Sequence, residues 1–302
     1  MIGTGPILPE ACTRPNKRTP RTVKIVILRG GSTAARRRPS AGPASTRERG
    51  VTAIGDGQGR WVLVNMSPGV AHQLDSDDRL VLHAGLPDAD VRSVLLTDAQ
   101  VDHVGGLLSL RDGAPIDLYA TPAVFESLTT SLPVLPVLQH YCGVHWHVVP
   151  VAGDRLQAEF RVDGMYQLVF TAVATRGIAP PHLDRASHDV VGDSIALAVL
   201  DLGTGQRALF APGLSTLEPP VLDWMAAADC LLVDGPPTAA AAVPPSPPDQ
   251  PMADDWLSRL RALPARHKVL FGAASAAAAL AGLPDLATAG IALAHDGMAI
   301  EL

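Results

Sequence analysis

The chain has 302 residues, 47% of them hydrophobic and 18% charged, enough to bury a sizeable core and too apolar for a disordered chain. Its formal net charge of −6 excludes a nucleic-acid binder of the usual basic kind. The three cysteines, Cys12, Cys142 and Cys230, lie far apart with no CxxC pair. That excludes a cysteine zinc site and fits a reducing, cytoplasmic setting.

Residues 1–20 are rich in Pro, Thr and Arg without periodicity and read as a disordered tail, with no signal-peptide core. Residues 21–302 read as one domain. No apolar run reaches the roughly 18 residues needed to span a bilayer. Between 14 and 49 the cations Arg14, Lys17, Arg18, Arg21, Lys24, Arg29, Arg36, Arg37, Arg38, Arg47 and Arg49 face one acid, Glu48. This segment reads as a solvated basic arm or loop around a strand at 23–28. Strands at 51–54 and 61–65 flank Asp56-Gly57-Gln58-Gly59, a hairpin signal. A buried strand follows at 91–96, then a helix at 101–110 and a short strand at 116–119. Thr121-Pro122 opens a helix to about 131, with Thr as N-cap and Pro in the first turn.

Strands are expected at 144–150, 166–172, 194–201 and 206–211, a helix at 218–226, and a strand at 230–233 ending at Asp234. The proline cluster at 235–251 forms neither helix nor central strand. A helix at 252–263, a strand at 268–271, a helix at 273–281 and a closing strand pair, 291–294 with 298–302, complete the chain. Many strands with interleaved helices suit an α/β sandwich, two sheets covered by helices. No internal repeat is visible.

Chemistry concentrates at Leu95-Leu96-Thr97-Asp98-Ala99-Gln100-Val101-Asp102-His103-Val104-Gly105-Gly106-Leu107-Leu108. A buried strand delivers polar residues to a turn, and a helix starts at once. Asp102 and His103 fall in its first turn, a natural place for a hard or borderline metal, and Gly105-Gly106 allows close packing beneath it. His145 and His147 share a strand face and read as a polar edge rather than a second metal site. Ser67 lacks a G-x-S-x-G context.

The segment resembles the THxHxDHxGG signature of metallo-β-lactamase-like proteins, with Asp98 and Gln100 at two histidine positions. It resembles still more the LTDAEIDHxxGLLSLR of the pyrroloquinoline quinone (PQQ) biosynthesis protein B family. Further similar segments run through 59–68, 119–124, 140–146, 210–214 and 228–235. The resemblance implies a metallo-β-lactamase-like αββα fold of two mixed β-sheets flanked by helices. It also implies a metal held by Asp98, Asp102, His103 and Asp234, either iron or zinc. The implied partner is the peptide-derived Glu–Tyr precursor of PQQ, or an intermediate. The implied chemistry is metal-dependent hydroxylation of the tyrosine ring, or else transport of PQQ or its precursor; a homodimer is one arrangement.

The departures point elsewhere. The family's CxCxxC stretch, its GHxPI segment and its HxNNTNP segment have no counterpart here, and a glutamate is replaced by the neutral Gln100. An iron site of two histidines and one carboxylate is therefore a histidine short. A non-catalytic, metal-free relative that binds a PQQ intermediate or a pathway protein is the competing expectation. A metal-dependent hydrolase is a third, opposed by Asp98 and Gln100 where its dinuclear site needs histidines.

Overall fold

The computed structural model describes residues 22–30, 50–70, 93–177, 180–183, 190–214, 217, 219–234, 253–272 and 290–302. The expected tail, most of the basic segment, the proline cluster and the helix at 273–281 lie outside the described residues, as do Cys12 and His188. Among the described residues fourteen strands build two seven-stranded sheets. The first sheet takes β1 (Lys24–Arg29), β2 (Val51–Gly55), β3 (Trp61–Val64), β4 (Ser93–Leu95), β5 (Ile116–Ala120) and β6 (Val144–Val148), with β14 (Ala299–Glu301) beside β1. The second takes β7 (Gln157–Phe160), β8 (Leu168–Ala174), β9 (Ile195–Asp201), β10 (Arg207–Ala211), β11 (Cys230–Asp234), β12 (His267–Phe271) and β13 (Ile291–Leu293), in chain order from one edge to the other.

Local chemistry sets the turns. Between β2 and β3 the Asp56 carboxylate accepts from the Gln58 and Arg60 amides at 2.7 and 3.1 Å, and Gly57 and Gly59 take φ of 68° and 95°. Between β9 and β10, Asp201 accepts from the Gly203 amide at 2.8 Å and the Thr204 hydroxyl at 2.9 Å. Thr121 caps the helix α2 (Pro122–Thr129) by accepting from the Val124 amide, and its hydroxyl donates to the Gly192 carbonyl at 2.6 Å.

Three apolar clusters fill the layers. The inner one joins both sheets through residues such as Ile25, Ile54, Phe170, Leu197, Phe210 and Phe271. On the outer face of the first sheet, α1 (Val101–Val104), α2 and α3 (Val134–Leu138) cover Leu63, Val94 and Leu118. On the second, α4 (Val221–Ala226) and α5 (Ala253–Ala262) cover Leu209, Leu231 and Leu270, with Trp256, Leu257 and Leu260 buried from α5. The layers are helix, sheet, sheet, helix, as expected. No described helix is long and apolar enough to cross a membrane.

Three expectations change. The strands at 291–294 and 298–302 do not pair with each other. β13 adds in parallel to β12, whereas β14 adds antiparallel to β1 in the other sheet. Each thereby fills an open ladder, and the turn at Gly297 (φ 80°) carries the chain across. The helix expected at 101–110 is α-helical only to Val104 and continues as a 3-10 helix, Gly105–Leu110. There the backbone is drawn against the exit of β3. The Gly106 amide donates to the Met66 carbonyl at 2.9 Å, and a Cβ on Gly106 would run into the Ser67 carbonyl. Finally, α3 and β7 were not expected: α3 is five residues long with Pro136 inside it, and β7 is four residues with two of them, Gln157 and Glu159, exposed.

Candidate functional site

The rim where the two sheets meet is stitched at Thr97-Asp98. Asp98 bridges Ser194 just ahead of β9, and the Ile195 amide donates to the Thr97 carbonyl at 2.9 Å. Thr97 is held from below by Asn65, which follows β3 with φ of 63°. The Asn65 side chain accepts from the Thr97 amide at 3.0 Å and donates to the Thr97 hydroxyl at 2.9 Å and the Gly50 carbonyl at 3.1 Å. All of these groups are buried, so they are satisfied inside the protein rather than by solvent.

On this support stands a buried pair. His103 Nδ1 lies 2.7 and 2.8 Å from the two oxygens of Asp98. A carboxylate can only accept, so Nδ1 carries the proton and the tautomer is fixed. Asp98 also accepts from the Gln100 amide at 2.9 Å and the Thr97 hydroxyl at 3.2 Å. The Nε2 edge of the ring turns toward Gly50, where a Cβ would lie 3.5 Å from that nitrogen. Opposite, Gly213 (φ 77°) donates its amide to Asp234 at 2.8 Å, and a Cβ on it would come within 3.7 Å of Asp98 Oδ2. Pro212-Gly213 thus sits between Asp98 and Asp234.

Of the four expected metal ligands, the structure joins Asp98 to His103, sets Asp234 at the end of β11 on the Gly213 amide, and leaves Asp102 half-buried in the first turn of α1. Among the described residues no three His, Cys, Asp or Glu side chains are gathered to hold a metal ion. Asp98 orients an imidazole, as carboxylates do behind metal-bound histidines, and the described residues by themselves do not complete a ligand set for an iron or zinc ion.

Two further histidines have an acidic partner. His145 and His147 do share a face, with one nitrogen of each 3.4 and 3.1 Å from Asp117 Oδ1, and His147 stacks on Tyr119 with ring centroids 4.4 Å apart. Burial pushes the Tyr119 phenol up. His140 is exposed, and His182 contacts the Ser127 hydroxyl at 3.4 Å. Cys142 and Cys230 are buried free thiols, and burial pushes Cys230 up to about 12. What sequence reading missed is the Asn65–Thr97 support. Its one signal was an asparagine directly after a buried strand, a residue type that tolerates positive φ.

Residues 60–284 match the family described as Beta-lactamase superfamily domain. The chain belongs to that family. Within it, the chain is similar to coenzyme PQQ synthesis protein B. It is 39% identical over 176 residues to the protein of that name from Methylobacillus flagellatus, covering 58% of this chain and 57% of the relative. It is 38% identical over 193 residues to the one from Pseudomonas fluorescens, covering 64% and 62%. The chain thus matches less than two thirds of the length of these relatives. Zinc-bound PqqB from Methylobacterium extorquens superposes with a TM-score of 0.63 at 21% identity, over 92% of this chain and 100% of that one. A diphosphatase from the PhnP family superposes with 0.58 at 18% identity, over 93% and 98%. At these identities the structural likeness shows a shared fold.

Proposed function

We propose that the chain serves PQQ synthesis by binding the peptide-derived Glu–Tyr precursor, an intermediate or PQQ itself, in a carrying role rather than as a metal-dependent hydroxylase. The similarity to coenzyme PQQ synthesis protein B supports the pathway. The engagement of Asp98 supports the role. Its two oxygens lie on His103 Nδ1 and also take the Gln100 amide and the Thr97 hydroxyl. It therefore acts on an imidazole, while Gln100 brings no charge and Asp234 holds a backbone amide. A buried, charge-assisted pair of this kind is a fixed polar anchor for a ligand. The proposed compartment is the reducing cytoplasm, where Cys142 and Cys230 stay free thiols.

Metal content decides between this and iron-dependent hydroxylation of the tyrosine ring. Purified protein is loaded with iron(II) or zinc, desalted and compared with a D102A/H103A double variant. The expected result is no retained ion in either. A stoichiometric ion, lost in the double variant, overturns the metal-free reading and restores hydroxylation.

A further inference from the structure

Four described strands stand at the ends of the two sheets, and three of them are guarded. β13 and β14 have three residues each, and β7 has four with Glu159 exposed among them. Short or charged edges resist pairing with another chain. β6 differs. Its five residues, Val144-His145-Trp146-His147-Val148, include no Lys, Arg, Asp, Glu, Pro or Gly, and they run along β5 without a bulge.

The two ends of β6 fix which backbone groups are open. The Ile116 amide donates to the Gly143 carbonyl at 3.1 Å, and the Val149 amide donates to the Ala120 carbonyl at 2.9 Å. Alternate residues of a strand turn their backbone groups to opposite sides. His145 and His147 therefore face β5, and the amides and carbonyls of Val144, Trp146 and Val148 turn outward. One of these is engaged: the Gln139 side chain donates to the Val144 carbonyl at 3.3 Å, which leaves that oxygen a second lone pair. Apolar side chains beside the edge are open too. Val148 is 49% exposed, and Val137 and Tyr141, on the approach from α3, are 45% and 63% exposed.

The five residues read the same in both directions. We propose that β6 pairs antiparallel with β6 of a second copy of this chain, about a twofold axis at Trp146, joining two seven-stranded sheets into one. The palindrome selects the occupant, because a twofold join must be complementary to itself. Val144 meets the partner's Val148, Trp146 meets its own counterpart, and His145 meets the partner's His147. The backbone agrees with this register. Val144, Trp146 and Val148 become the hydrogen-bonded pairs, with about six bonds across the join, and the histidines become the closer, non-bonded pairs. β-branched and aromatic residues set opposite one another favour such pairing. Charge does not oppose it. One nitrogen each of His145 and His147 lies 3.4 and 3.1 Å from Asp117 Oδ1, so each copy brings a carboxylate beside its two imidazoles. The pairing does not depend on what the Asp98 rim binds.

The mass of the full chain is measured by light scattering after size exclusion, across a dilution series. A dimer is expected. Val148→Pro removes an outward amide and no bond to β5, and the twofold removes it twice, so association should weaken by about tenfold or more. Val148→Thr, which keeps the amide and the branched side chain, should still dimerise. A native near-ultraviolet spectrum checks the fold of both. Register is read separately with the double variant Val144→Cys/Val148→Cys. Hydrogen-bonded pairs stand about 5.5 Å apart at Cα, within disulfide reach, so oxidation should cross-link positions 144 and 148 of two copies, as located by mass spectrometry. A monomeric wild type overturns the proposal and leaves the edge to an extended segment of another protein. So does a dimer that a folded Val148→Pro leaves intact, or one that forms no such cross-link. If Val148→Pro misfolds, the cross-link alone decides.

Discussion

Asn65 adopts a backbone conformation that disfavours an ordinary L-residue by about 1–2 kcal/mol. Its side chain also carries the Thr97 turn. The two contributions separate by substitution. Asn65→Gly loses only the side-chain bonds, whereas Asn65→Ala adds the backbone penalty, so the alanine variant should be less stable by about 1 kcal/mol in urea unfolding. Equal stabilities would refute the assignment. Asp98→Ala strips an acceptor from His103 Nδ1 and the Gln100 amide together, and a loss of about 1–3 kcal/mol is expected by the same measurement.

At the Cys230 thiol, burial pushes the value up from about 9 to about 12. The folded state then keeps a proton that the unfolded chain gives up. The stability this contributes is full below about pH 9 and is lost as the pH rises toward 12. Wild type should therefore lose more stability than Cys230→Ala between about pH 8 and about pH 10, a window that straddles the ordinary thiol value of about 9. Lys268, whose amine burial pushes down, acts in the opposite sense in both proteins and cancels from the comparison. Of the site, sequence showed Asp98, Asp102, His103 and Asp234 as candidates through their resemblance to a motif. It could not show that Asp98 and His103 bond each other. That contact depends on how Thr97 is seated, and Asn65, 32 residues away, seats it.

Elements with a clean period were legible: the apolar strands β1, β4, β9 and β11, the Thr-Pro start of α2, and the Asp56–Gly59 hairpin. Pairing was not, because a short strand such as Ala299–Glu301 carries no label for the sheet it joins. β14 also protects the β1 edge, since Ile25 pairs with Ile300. Deleting residues 299–302 should expose that edge and raise light scattering on standing, and a monodisperse truncated protein would argue against this role. Leu260 of α5 is fully buried in the outer cluster over the second sheet. Leu260→Ala is expected to destabilise by about 2–5 kcal/mol in thermal or urea unfolding.

Across the whole molecule the two sheets follow the same plan. Each has three antiparallel pairings, then three parallel ones, from one edge to the other. The sequence shows no repeat, because strands buried on both faces require only apolar residues of fitting volume, which many sequences supply. The rim site exists because this plan brings the ends of β4, β10 and β11 together. A ligand bound at that end should stabilise the fold by mass action, about 2.7 kcal/mol at a concentration a hundredfold above Kd. A PQQ titration followed by thermal melting reads this directly, and an unmoved midpoint at saturation would contradict the carrying role.

The crossing of the chain from β13 to β14 also bears on how the protein is made. Arg29 contacts Asp296 across 267 residues of sequence, and the Ile27 amide finds its acceptor at Met298. On the ribosome, β1 emerges early and waits for a partner strand translated long after. During that interval it stands as an open edge, the state that chaperones recognise and that aggregation exploits. Expression yield of this protein should therefore respond to chaperone supply and to slowed growth temperature more than its final stability would suggest.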